Sequence, residues 1–443
     1  MNENPVFRER FGKVLRASAL ALAVVLIWQI ASPSMLYVVG ALAEEGSALS
    51  KIYGLLSESA GEPTTAEDYY EQANISIGQR AYDKALGELE TARGLAGENG
   101  TLLAELWLKT ASVYILTGRM EDAEIALDES LKLNEASSQG LLLRAQIKIK
   151  KTDFRSSIED LRKYLEIVES DSNTRLTLAQ LLESTTDYRS ASAEYQKLYE
   201  QLPADESHLL NSLRCKFLAG EYEESLEAFD AYIATQKDSS PYLPIAEFLR
   251  AASLMQLGRY DEAADGFASA QAHGYDEASC YEQMVMCYFE CEAYEKVIEY
   301  GNKLIEMEAA LNAPDAFYQR MGASLIQMEQ HESALEHLTK SMELNPELSG
   351  NAYYRGVSLL ALKRYEEAVK DFTTSIDQGF LTQFCYYNRG VCYVQLLEYE
   401  KAIDDMGMTL TSGEDPALQE AAKDILWQLA AYFEKSQESK TTN

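Results

Sequence analysis

The stretch Leu254–Ala270 reads LMQLGRYDEAADGFASA. Large Tyr260 is followed three positions on by small Ala263 and four further by large Phe267, with Gly258 just ahead. Offsets of three and four fall on one helical face, and a glycine before them marks the turn that leads in. The same order recurs ten times, opening at Tyr82, Met120, Phe154, Tyr188, Tyr222, Tyr260, Tyr294, His331, Tyr365 and Tyr399. Successive intervals are 38, 34, 34, 34, 38, 34, 37, 34 and 34 residues. A period of 34 belongs to stacked helix–turn–helix units, each burying its apolar face only against its neighbours.

Two helices per unit follow from the small residues. One series is Ala85, Ala123, Ser157, Ala191, Ser225, Ala263, Val297, Ala334, Ala368 and Ala402. A second lies nine residues before each opening position, at Ala73, Ala111, Ala145, Ala179, Leu213, Ala251, Val285, Gly322, Gly356 and Gly390. Small residues on both helices let the backbones approach, and the large series Leu89, Leu127, Leu161, Tyr195, Phe229, Phe267, Leu338, Phe372 and Met406 fills the space around them. The seventh unit exchanges these roles through Val285, Val297 and Gly301, which reads as local repacking.

These residues resemble the tetratricopeptide repeat (TPR). Trp107, Ala111, Tyr114, Gly118 and Ala123 carry its pattern in the second unit, and Leu254, Gly258, Tyr260, Ala263, Phe267 and Ala270 in the sixth. Pro203 and Pro346 stand at the terminal proline position of their units. The resemblance covers 66–416 and implies an all-α, right-handed α-solenoid of about ten TPR-like repeats.

Flanking segments complete the organisation. Arg8, Arg10, Lys13 and Arg16 precede an uncharged stretch from Ala17 to Ala43. Basic flank then apolar run is an export or insertion signal that leaves the basic end in the cytoplasm. Residues 1–43 are thus a signal peptide, cleaved after Ala41-Leu42-Ala43, or a retained membrane anchor. Both readings place the repeats outside the cytoplasm, secreted or anchored to the cell membrane. Residues 44–65 read as a linker broken by Gly46, Gly54, Gly61 and Pro63. Asp415-Pro416 is a helix-start signal, and Leu418, Ala422, Ile425, Leu429 and Phe433 form the apolar stripe of a capping helix over 417–436, ahead of a polar tail at 437–443. Three insertions, at Gly97–Gly100, Gln236–Pro244 and Glu306–Pro314, lengthen the spacing between units; they read as loop growth or as subdomain joints and contact loops.

Composition narrows the chemistry. With 39 basic against 71 acidic side chains the net charge is −32, a field that repels nucleic acid and anionic lipid. Cys280 and Cys385 share one repeat position, and Cys215, Cys287 and Cys392 another, as packing residues do. His208, His273, His331 and His337 lie far apart or without acid partners, and His331 stands in the aromatic position of its unit. Neither a phosphate loop nor a metal-ligand cluster nor a nucleophile motif occurs, and the repeats leave no room for a catalytic domain. The expectation is a non-enzyme without cofactor or metal.

What remains is a surface for protein or peptide segments. In the resembled family the first helix of each unit lines a concave groove through its second, fifth, ninth, twelfth and thirteenth residues. Carried onto this chain, the twelfth places are Ile77, Ile115, Ile149, Glu183, Phe217, Met255, Phe289, Ile326, Leu360 and Val394, nine of ten apolar. The fifth places include Phe248, Tyr353 and Tyr387 and no Lys or Arg, so the basic clamp by which some relatives hold peptide carboxylates is missing. The candidate groove residues are Phe217, Phe248, Met255, Phe289, Tyr353 and Tyr387. The sequence points to a protein-interaction scaffold, with self-association in an envelope assembly as the alternative.

Overall fold

A computed structural model describes residues 62–413 and 415–441. The signal or anchor segment at 1–43, the cleavage point after Ala43 and the linker up to residue 61 lie outside the described residues. Among these, 21 helices and no strand occur, a helical repeat array throughout. The chain divides into two compact units, Met1–Ser225 and Leu226–Asn443. The division falls within the helix Tyr222–Ile233 and not at any of the three insertions.

The first unit pairs Ala66–Gly78 with Tyr82–Leu95, Gly100–Leu116 with Met120–Leu133, Ser138–Lys150 with Phe154–Ile167, and Ser172–Ser184 with Tyr188–Gln201, then adds Glu206–Leu218. The second pairs Leu243–Gln256 with Tyr260–Ala272, Glu277–Glu290 with Tyr294–Glu306, Pro314–Gln327 with His331–Leu344, Asn351–Ala361 with Tyr365–Asp377, and Thr382–Gln395 with Tyr399–Thr411, and ends in Pro416–Thr441. Every one of the ten recurring large residues is the first residue of its helix.

The turn explains why. Two residues ahead of each large residue the backbone is left-handed: Arg80, Gly118, Thr152, Thr186, Gly220, Gly258, Glu292, Glu329, Lys363 and Leu397 all have positive φ. The next N–H then donates back across the turn, as Arg119 does to the Tyr114 carbonyl at 2.8 Å and Asp187 to that of Leu182 at 2.9 Å. This closes the first helix in a Schellman motif and points the chain into the second. Only three of the ten positions hold glycine, so the turn is imposed by the stacking as much as by local preference.

Packing follows the two small series. Ala85, Ala123, Ser157, Ala191, Ser225, Ala263, Val297, Ala334, Ala368 and Ala402 are all fully buried. Gly322, Gly356 and Gly390 sit against the large residue of the facing helix: a Cβ at Gly322 would lie 2.5 Å from Leu338 Cγ, and one at Gly356 2.8 Å from Phe372 Cε1. The exchange in the seventh unit is local repacking. A Cβ at Gly301 would lie 2.1 Å from Met321 Sδ, so Met321 of the next first helix fills the volume that Gly301 leaves.

The last helix starts at Asp415, whose carboxylate accepts the Leu418 N–H at 2.9 Å, and it buries Ala422 and Leu429. It reaches Thr441, through most of the segment expected to be a polar tail. Glu434 to Thr441 contain neither Gly nor Pro, so nothing local stops the helix at 436.

Candidate interaction surface

Of the six residues expected to line a groove, Phe217, Phe248 and Met255 are buried, at 3%, 8% and 3% exposure. Phe217 packs on Tyr222, with centroids 5.6 Å apart. Phe248 stacks on Tyr275 at 4.2 Å and meets Phe267 edge-on at 5.0 Å. These side chains present almost no surface and belong to the packing between helices. Phe289, Tyr353 and Tyr387 are partly exposed. Tyr353 lies 6.0 Å from Phe380 and 5.5 Å from Tyr354, and burial pushes its hydroxyl up to about 12.

In the second unit neighbouring first helices touch: Pro314–Gln327 meets Asn351–Ala361, which meets Thr382–Gln395. Tyr353 and Val357, then Phe384, Tyr387 and Val391, are partly exposed on the last two of these. Offsets of three, four and seven put each set on one face. The insertion at 306–314 reaches the first-helix face of its own unit, where Asn312 donates from its backbone N–H and its Nδ2 to Glu282 at 2.9 and 2.6 Å.

The ninth place of the first helices separates the two units. In the first unit it holds Asn74, Ser112, Gln146, Gln180 and Arg214, all polar and all partly exposed. In the second it holds Ala252, Met286, Ala323, Val357 and Val391, all apolar. Arg214 Nη2 donates to Glu183 Oε2 at 3.0 Å, linking adjacent first helices. The 34-residue spacing that exposed the fifth and twelfth places would have shown this contrast as well.

A second recurrent device runs between helices. Arg144 forks onto Asp160, with Nε–Oδ2 at 2.9 Å and Nη2–Oδ1 at 2.6 Å, and its Nη1 reaches Asp128 of the preceding unit at 2.7 Å. Arg389 does the same with Asp405, at 2.8 Å twice, and with Thr373 Oγ1 at 2.9 Å. Arg355 forks onto Asp371 at 2.7 and 2.8 Å. Arginine suits this place because its planar fork matches a carboxylate while further donors reach the neighbouring unit.

The cysteines are free, and all but the half-buried Cys291 are buried. Burial pushes the thiols of Cys215, Cys280 and Cys392 up to about 12 and that of Cys291 to about 11, which suppresses the reactive thiolate. Among the described residues no group of three or more His, Cys, Asp or Glu is placed to hold a metal ion.

A family profile described as tetratricopeptide repeat matches 176–244, and another of the same description matches 104–137 and 316–348. These are tetratricopeptide repeats. The comparison with curated proteins finds no match. Similar solved structures include that of Naa15/Naa10 bound to HypK-THB (11% identity, 81% of this chain and 65% of that one, TM-score 0.44). This chain thus spans less than two thirds of that one. Others are the C-terminal part of a TPR repeat-containing protein from Cytophaga hutchinsonii (14% identity, 55% of this chain and 98% of that one, TM-score 0.44) and a tetratricopeptide repeat protein from Parabacteroides merdae (14% identity, 66% and 98%, TM-score 0.31). At such identities and TM-scores they say nothing about what this chain binds. Tetratricopeptide repeats mediate protein–protein interaction, and the family is generally non-catalytic.

Proposed function

We propose that this chain is an extracytoplasmic interaction scaffold that holds partner protein segments on the first-helix faces of its tetratricopeptide repeats. The observation that carries the reading is the set of partly exposed apolar residues near the end of the second unit, Tyr353, Val357, Phe384, Tyr387 and Val391, on two touching first helices. Aromatic side chains that keep some surface while their bases are packed supply contact area at little entropic cost. The polar ninth places of the first unit suit a different segment, one recognised through backbone and side-chain hydrogen bonds. Full chain carrying Tyr387→Ala and Phe384→Ala should lose partners from envelope extract, or bind them at least about tenfold more weakly, with an unchanged melting curve. A variant that keeps every partner, or that merely unfolds sooner, sinks the groove reading.

The location rests on the basic flank Arg8, Arg10, Lys13 and Arg16 before the uncharged run Ala17–Ala43. No helix among the described residues is long and apolar enough to cross a membrane, and that run lies outside them. Protease added to intact protoplasts should digest the repeats; full protection overturns the location. A mature N-terminus at Glu44 would mean cleavage, and an intact one an anchor.

A further inference from the structure

The helix Pro416–Thr441 leaves its largest side chain uncovered: Trp427 is 74% exposed. Its repeat position makes that unusual. Trp427 stands 34 residues after Tyr393 and 68 after Leu359. At the same place in earlier repeats Leu182, Leu254, Tyr288, Leu325 and Leu359 are 6% exposed or less, and Tyr114, Lys148, Lys216 and Tyr393 are partly exposed; none is as open as Trp427. There the repeat's own second helix covers that position, as Lys401 of the second helix Tyr399–Thr411 lies 5.3 Å over the Tyr393 ring. No helix among the described residues covers Trp427, so the last helix carries the first half of a helix-pair contact.

The face around Trp427 has an order. Lys423, Trp427, Ala430 and Glu434 are all exposed, and they are four, three and four residues apart. That spacing is the 3.5-residue stripe of a coiled-coil seam. It is centred about a third of a turn round the helix from buried Ala422 and Leu429, and its four residues are exposed, so occupying it disturbs no existing packing. Read in either direction the stripe is charge, core residue, core residue, opposite charge. Two copies laid antiparallel about a twofold axis midway between Trp427 and Ala430 place large Trp427 against small Ala430, and Lys423 against Glu434, twice each. A surface that complements itself under a twofold is what an isologous dimer requires. Lys423 is engaged only with Glu420, at 3.1 Å, a pair whose side chains are 50% and 69% exposed. Exposed pairs of this kind contribute little, so Lys423 is free to change partner. At 26 residues, roughly 39 Å, the helix is long enough for the whole stripe.

From this we infer that the occupant of the Trp427 face is a second copy of this chain, the two terminal helices pairing antiparallel through Lys423, Trp427, Ala430 and Glu434. The pairing is independent of the proposed groove, since it uses neither the first-helix faces nor any partner. It also restricts the interface to one helix, so each copy keeps its repeats free.

The experiment is sedimentation of full chain, in a mild detergent that keeps residues 17–43 dissolved and at about 0.15 M salt, where the like charge of two copies is screened beyond about 8 Å. Wild type should sediment as a dimer that dissociates on dilution. Trp427→Ala, Lys423→Glu and Glu434→Lys should each weaken the dimer at least about tenfold with unchanged melting, because all three positions are exposed. The mixture is the decisive arm. Lys423→Glu opposes two glutamates in each seam and Glu434→Lys two lysines, yet one copy of each restores both pairs, so equimolar mixing should recover the dimer. A wild type that stays monomeric overturns the inference and leaves the face to another partner. A dimer that survives all three substitutions overturns it too, by placing the contact elsewhere. Failure of the mixture to recover the dimer refutes the antiparallel register.

Discussion

At the residue scale, the turn inside each repeat demands a left-handed residue, and the chain meets the demand unevenly. Thr186 has φ 63° although its branched Cβ makes that conformation costly. Thr186→Gly should raise the denaturation midpoint, with a gain of about 0.5–1 kcal/mol after the extra entropy that glycine loses on folding. A lower midpoint would mean that the threonine side chain makes compensating contacts. His273, read from the sequence as far from the other histidines or without an acid partner, has such a partner in the fold. Its Nδ1 lies 2.8 Å from Glu247 Oε2, and the bond to that carboxylate raises its pKa above the ordinary 6.5. A raised folded-state pKa stabilises most below the unfolded value and loses that contribution as pH climbs through the folded one. Wild type should therefore exceed His273→Gln in melting temperature most at about pH 5–6, with the gap shrinking above neutrality; a gap that is flat or widens with pH would contradict the ion pair.

At the scale of elements, the Arg–Asp forks hold second helices to first helices. Asp405 is 5% exposed, and its carboxylate accepts both arms of the Arg389 fork. Asp405→Ala strands a half-buried guanidinium and should cost about 3 kcal/mol in a denaturant titration, whereas Arg389→Met with Asp405→Leu should recover most of it. If the single and double variants unfold alike, the pair acts as packing and not as charge. The helices themselves were legible because large–small–large spacing survives even where identities change, as with His331 in an aromatic place. The forks were not, since Arg389 and Asp405 are 16 residues apart on different helices and only the stacked backbone shows that they meet.

At the scale of the molecule, nearest-neighbour packing predicts that damage stays local. Ala368 is fully buried where two helices touch, so Ala368→Leu overpacks by about 1–3 kcal/mol. Amide exchange should then speed up around residues 351–411 while amides of 66–201 keep wild-type rates; uniform acceleration would show that the whole array unfolds as one. Sequence alone determined the all-α repeat array and the residue opening each second helix, because a periodic pattern leaves one way to bury every apolar face. It also pointed to the first-helix faces, though not to which aromatics keep surface there. Phe248 and Tyr353 hold the same repeat place, yet Phe248 is sealed by Tyr275 and Phe267 while Tyr353 stays partly open. Exposure depends on what neighbouring helices bring to a position, and period carries no record of that. The uncovered Trp427 is of the same kind: its spacing puts it where Leu254 and Leu359 are buried, and only the tertiary structure decides that no helix of its own repeat covers it.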